Sequence, residues 1–272
     1  MATIVPELSS IPTTIPNSSY RPGNGLCIFF WDADEEFYPG GIGSSLGYTN
    51  YVGPLAYRST TITPNSAFVN GVKGGYVGVG FDVKGDFSTT DNGKVGFNTV
   101  KDAGVSSPST FDTKEVGTNN PNTICVRTRD VSGYSIHSVS PNLSTFPLAS
   151  DPHHERYFGS PAITLHQTVS SRDDITFTSV KVTLQNNGKR VKAEIKGSDG
   201  IWYPYHVADL DYSLSDITTP DKLRAGISFA TSHDFVNCDV KNVSIYADHV
   251  PLLKSQTKLA PTSGISISAR KI

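Results

Sequence analysis

The residues able to do chemistry fall in a few short stretches. Asp82 ends an apolar run, and Asp86, Asp91 and Asn92 follow it within ten positions. Asp32, Asp34, Glu35 and Glu36 form the densest acidic cluster, directly after another apolar run. Asp151, His153, His154 and Glu155 make a third group, and His233 with Asp234 a fourth. Spacing limits what each can do. Hydrolysis of a glycosidic bond needs two carboxylates at a set separation across a cleft. The cluster at 32–36 instead leaves a strand into a loop and reads as a solvated loop end. Adjacent histidines point in different directions in an extended chain, and no further His stands at ligand spacing, so 151–155 reads as a surface loop. His233-Asp234 has no nucleophile elbow of the Gly-x-Ser-x-Gly kind to serve. No phosphate-binding loop and no dinucleotide fingerprint occurs.

The elements that must position Asp82 and its neighbours are the centre of the chain. Leu26 to Trp31 is a continuous apolar run, which predicts a strand buried on both faces. A glycine-rich loop follows, Pro39-Gly40-Gly41-Ile42-Gly43-Ser44-Ser45-Leu46-Gly47-Tyr48. Tyr76 to Val83 is a second buried strand with glycines at 78 and 80. Glycine inside a strand marks close approach of a ligand or another segment. A polar turn over 84–93 then carries Asp86, Phe87, Asp91 and Asn92, and Asn92-Gly93 favours a tight hairpin into a short strand from Lys94. This is a place to bind something.

The remaining chain supplies strands and no helix with sustained periodicity. Thr123 to Arg129 and Tyr134 to Val139 read as partners. Ala162 to Val169 and Ile175 to Leu184 are predicted as strands. Lys189 to Lys196 alternates apolar and charged residues, and Ile201 to Tyr205 follows a Ser-Asp-Gly turn. That is the period-2 pattern of an antiparallel meander with one solvated face. Arg224 to Ala230 and Cys238 to Ala247 complete the set. The expected organisation is an extended arm at 1–22, a β-sandwich at 23–247 and an extension at 248–272. Gly264 to Ala269 alternates and is suited to add to a sheet edge, its own or a neighbour's.

Composition narrows the class. The 272 residues carry a net charge of −2, with 37% hydrophobic and 18% charged residues. That length suits one large β domain or two small ones, and that charge leaves no basic footprint for nucleic acid. No apolar run is long enough to span a membrane as a helix. The N-terminus shows no secretory signal, which predicts synthesis in the cytoplasm. Cys27, Cys125 and Cys238 are odd in number and far apart, and are expected as buried free thiols.

Gly25-Leu26-Cys27-Ile28-Phe29-Phe30, Gly40-Gly41, Leu46-Gly47-Tyr48 and Val77-Gly78-Val79-Gly80-Phe81-Asp82 together resemble the L-type, legume-lectin-like members of the concanavalin A-like superfamily. Arg224 to Asp234 resembles the penultimate strand of that family and its following loop. The resemblance covers about residues 21–247 and implies an all-β, two-sheet antiparallel jelly-roll sandwich. It also implies sugar-binding positions at Asn24, Gly41, Phe87, Asn92 and Ser232, with Gly41 offering a backbone N–H. Trp31, Tyr48 and Phe87 are the aromatic rings available to stack on a sugar, but packing in the core or a loop is the favoured reading of each. The metal ligands implied are Asp82, Asp86 and Asp91, hard oxygens suited to calcium, while the favoured reading of these same residues is that they cap the turn with side-chain hydrogen bonds. Two departures stand out. The family's sugar-binding Asp is Asn24 here, which keeps one acceptor, gains two donors and loses the charge. The family's metal-binding Glu is Gly80. The Glu-x-Asp-x-x-Glu strand of the superfamily's glucanases is missing.

The reading that follows is a non-enzymatic, lectin-like structural or adhesion protein. A virion component, such as a capsid decoration, tail or fibre, fits best, with the terminal arms docking on protein subunits of a larger assembly. A calcium-assisted, glycan-binding lectin is the alternative, and a glycoside hydrolase ranks last. Fold and function are separate inferences. The surroundings of Asn24, Gly41 and Asp82 discriminate: an open pocket there favours binding, filled space favours a scaffold.

Overall fold

The computed structural model describes residues 2–12, 24–54, 66–89, 94, 121–130, 133–145, 160–165, 177–210, 219–230, 236–247 and 268–269. Thirteen strands occur among them, and no α-helix. Five form one antiparallel sheet in the order β11-β2-β5-β6-β7: β2 is Gly25–Asp32, β5 Gly75–Asp82, β6 Thr123–Asp130, β7 Gly133–Val139 and β11 Leu223–Ala230. Six form a second sheet in the order β10-β9-β8-β1-β12-β13. Its strands are β1 Ala2–Pro12, β8 Thr178–Gln185, β9 Arg190–Lys196, β10 Trp202–Asp209, β12 Val236–Ala247 and β13 Ser268–Ala269. Strands β3 Tyr51–Pro54 and β4 Ser66–Val69 pair by themselves. The architecture is the expected two-sheet antiparallel sandwich.

Alternation decides what each face touches. In β2, Leu26, Ile28 and Phe30 point between the sheets, where they meet Val77, Val79 and Phe81 of β5 and Ile124 and Val126 of β6. Val180, Val182 and Leu184 of β8 and Val191, Ala193 and Ile195 of β9 close this core from the other sheet. The intervening residues Cys27, Phe29 and Trp31 point the opposite way, into a second core with Leu46, Tyr48, Val72 and Phe87. Two apolar environments, one on each face, are why β2 lacks polar alternation. β9 faces one core only and shows the clean alternation predicted for it, with Lys192 and Lys196 on its other face.

Two stretches differ from the sequence expectation. Residues 2–12, read as part of an extended arm, are extended but lie within the six-stranded sheet, bonded to β8 on one side and β12 on the other. Residues 162–165, read as the start of a strand, are irregular. Asn122 holds them instead, accepting the Leu165 N–H at 2.7 Å and donating to the Ile163 carbonyl at 2.9 Å, and Ile163 packs on the core without a ladder. At the other terminus, Ser268–Ala269 pairs in parallel with Ser244–Ile245, at an edge of the chain's own sheet.

Candidate functional site

The outer face of the five-stranded sheet presents a shallow trough. Gly80 lies between Cys27 and Cys125 on neighbouring strands, and Gly78 between Phe29 and Arg127. Without side chains, these two positions leave room above the central strand. Two loops fill it. A Cβ at Gly78 would run into the Tyr48 ring, and one at Gly80 into the Phe87 ring. Tyr48 and Phe87 are both fully buried. Leu46, also fully buried, reaches within 3.2 Å of the Gly80 Cβ position from a left-handed backbone, φ 49°. A non-glycine residue persists in that region only where its surroundings fix it. Here the buried side chain does so, helped by a hydrogen bond from the Ser228 hydroxyl to the Leu46 carbonyl.

The glycine loop is closed by its own backbone. The Gly40 N–H donates to Gly47 O at 2.8 Å, and the Gly41 N–H to Thr49 O at 2.7 Å. The donor expected at Gly41 for a ligand is therefore spent inside the loop. A Cβ there would also meet Tyr51 and Ser45, so glycine at 41 answers to packing. Trp31 is 8% exposed, and with Tyr48 and Phe87 it belongs to the second core, the packing role favoured for these rings over stacking on a sugar.

Asp82 sits at the end of β5, fully buried. Its carboxylate accepts the Gly85 N–H at 2.8 Å and the Ser88 N–H at 3.0 Å, so it folds the 83–89 loop over itself. Burial, and next the negative charge of Asp86, push its pKa up to about 7, against the pull of those two amides. Asp86 in turn accepts from Asn24 Nδ2 at 2.6 Å and pairs with Lys84 Nζ at 3.2 Å. Asn24 is placed by its backbone, which bonds to Ala230 O on one side and receives the Val83 N–H on the other. Asn24 Oδ1 and Asp86 Oδ1 are buried and have no hydrogen-bond partner among the described residues.

The structure thus brings Asn24, Asp82, Asp86 and Phe87 together and sets Gly41 apart in its own loop. Asp91, Asn92 and Ser232 lie outside the described residues, as do His153, His154, His233 and Asp234. Asp32 Oδ1 accepts the Asp34 N–H at 3.0 Å, a local turn contact, and Glu35 pairs with Lys73 at 3.0 Å. These fit the solvated loop end read from the sequence. Cys27 and Cys125 are free and buried, as expected. Burial pushes the Cys125 thiol up to about 12 and Cys27 well above its ordinary value, so neither is a reactive thiolate.

Calcium is the ion that the resemblance implies, and the described residues do not fit it. Calcium takes six to eight oxygen ligands. Both Asp82 oxygens are engaged by amides, and one Asp86 oxygen by Asn24 and an ammonium. The Gly80 position is covered by a phenyl ring. No group of three or more His, Cys, Asp or Glu able to hold a metal occurs among the described residues.

Two cations here escaped the sequence reading. Lys94 is 3% exposed and donates to Ser44 Oγ at 2.8 Å, tying the polar turn to the glycine loop. Arg127 is fully buried. Its Nε donates to Phe87 O at 2.8 Å, Nη2 to Thr89 O at 2.7 Å and Nη1 to Tyr134 O at 2.6 Å. The guanidinium also lies 5.3 Å from the centroid of the Phe87 ring. The one sequence signal for it was a charge sharing its strand face with Cys125.

No family model matches the sequence, and no curated protein matches it. Solved structures do. The metal-free form of lectin I-B4 from Griffonia simplicifolia is 14% identical, with a TM-score of 0.41, over 88% of this chain and 69% of that one. Peanut lectin with a 9mer peptide is 13% identical at 0.39, over 88% and 68%. Basic winged bean lectin with Tn-antigen is 14% identical at 0.38, over 88% and 68%. These three solved structures are lectins.

Proposed function

We propose that this chain is a non-enzymatic, lectin-like module with a structural or adhesion role, its trough packed as core. The observation that carries this reading is the filling of the Gly78–Gly80 trough by Tyr48, Leu46 and Phe87. A surface kept for a ligand has to stay open or be covered by something that moves. Three buried side chains, each contributing about 1.5–3 kcal/mol by its burial, make opening this one costly. Residues 32–36 supply no pair of carboxylates facing across a cleft, which supports a role without catalysis. The finer form of the proposal is a virion surface component. It rests on the Ser-, Thr-, Asn- and Gly-rich β composition. A glycan array probed with purified protein, with and without calcium, tests the first part: a blank array is expected, and calcium-dependent binding would overturn it. Sedimentation at micromolar concentration tests the second, with assembly expected and a strict monomer counting against it.

One observation favours the glycan-binding reading. Asn24 Oδ1 and Asp86 Oδ1 are two adjacent buried acceptors with no partner among the described residues. An orphaned buried acceptor costs about 1–3 kcal/mol, and two hydroxyls of a polyol, each donating one hydrogen bond, would relieve the pair. Saturation-transfer NMR with simple monosaccharides reads this out. Transfer that disappears in Asn24→Ala would move the conclusion to a lectin.

A further inference from the structure

We infer that Arg127 is a built-in cation that fixes the 83–89 loop, so that this end of the sandwich keeps its shape without a bound metal ion. The loop is gripped at two places by opposite charges. Asp82, from β5, takes the N–H groups of Gly85 and Ser88. Arg127, from β6, takes the carbonyls of Phe87 and Thr89, and with its third donor the carbonyl of Tyr134 on β7. A cation surrounded by loop carbonyls is the arrangement by which a hard metal ion orders a loop. A guanidinium provides a single positive charge with a fixed fork of donors and remains charged at any ordinary pH. It is also covalently attached, so no chelator removes it.

The surroundings agree. Phe87 is held at its carbonyl by Arg127, presents its ring to the guanidinium and caps Gly80. A larger residue at position 80 and a phenyl ring above it exclude one another. Lys84 on Asp86 and Lys94 on Ser44 place two further ammonium groups at the same end of the sheet. The two carboxylates at this end, Asp82 and Asp86, thus already share it with three cationic side chains. The cost of burying Arg127, visible as a lowered pKa caused first by desolvation, is offset by its three carbonyl bonds, with the Asp82 carboxylate acting electrostatically in its favour.

The test is hydrogen exchange on the full chain, read separately at amides 84–89 and at amides of β8 and β9. Protection at both sets is expected to be the same in EDTA and in millimolar calcium chloride. Arg127→Lys keeps the charge but loses the fork. It should speed exchange at 84–89 at least tenfold while β8 and β9 stay protected. Two results would overturn the inference: loss of 84–89 protection in EDTA, or an Arg127→Lys protein whose loop exchanges as in the wild type. Uniform loss of protection across both regions would also do so, because it assigns Arg127 to global stability alone. The chelator arm needs no variant and decides the matter should Arg127→Lys fail to fold.

Discussion

The two faces of the five-stranded sheet are both buried at β2 and β5, by different means. Between the sheets, the packing is almost wholly apolar: Ile28, Val79 and Val126 share one core with Val182 and Ala193. On the outer face, two loops do the covering, and they bring polar backbone with them. That face therefore contains buried Arg127, Asp82, Asn24 and Lys94, each bonded to loop atoms or to one another. A strand pairing with strands satisfies its own amides and carbonyls. A loop folded onto a sheet does not, and side chains must do it. The outer face has charge because it is roofed with loops.

The comparison breaks most sharply at neighbouring positions of β6. Val126→Arg places a guanidinium in the inner core, next to a residue that is already arginine. It should abolish cooperative folding, read by near-ultraviolet circular dichroism, because nothing there accepts its donors. A protein that still folds would remove the distinction between the two faces. Next in size is Phe87→Ala, expected to cost about 3–5 kcal/mol in urea unfolding. Gly80→Ala should destabilise the wild type but be far milder in the Phe87→Ala background, since the clash is with that ring. Equal effects in both backgrounds would mean that the trough is not filled as described.

A smaller effect separates the faces by pH. The folded pKa of Asp82, about 7, lies above its unfolded value near 3.8. The native state then holds a proton that the unfolded state releases in this window. The Asp82 contribution to stability is complete below about pH 4 and is lost as pH rises through about 7. Replacing Asp82 by Asn should flatten the fall over that range, measured by urea midpoints at a series of pH values. Asp86→Asn should lower the Asp82 titration seen by carboxyl carbon NMR, because it removes the second cause of the shift. An unchanged titration would contradict the proximity of the two carboxylates. The smallest effect belongs outside both cores. Lys73→Ala removes an exposed ion pair with Glu35 and should leave the urea midpoint unchanged within error.

Most of the β-strands were legible because periodicity reports burial. β2, β5, β6, β7 and β11 begin and end within a residue or two of the runs read from the sequence. Asp82 as a turn-former and Asp32 as a loop-end residue follow from side-chain chemistry that acts over a few positions. The aromatic rings were harder. Trp31, Tyr48 and Phe87 have the composition of a sugar-stacking face and the position of core residues, and composition does not distinguish these.

What the sequence determined alone is the sandwich: alternation in β9, continuous apolarity in β2 and β5, and turn residues between them act over distances shorter than one strand. It also placed a glycine at 80 where a ligand-bearing side chain was expected. What only the tertiary structure decided is the content of the space above that glycine. Phe87 comes from the following loop, Leu46 and Tyr48 from the preceding one, and Arg127 from the next strand of the sheet, 47 positions after Gly80. Hydrogen bonds between residues separated by 38–62 positions, such as Arg127 to Thr89 and Asn24 to Asp86, leave no local pattern in a sequence. They form only when strand pairing has brought both partners to the same end of the sheet.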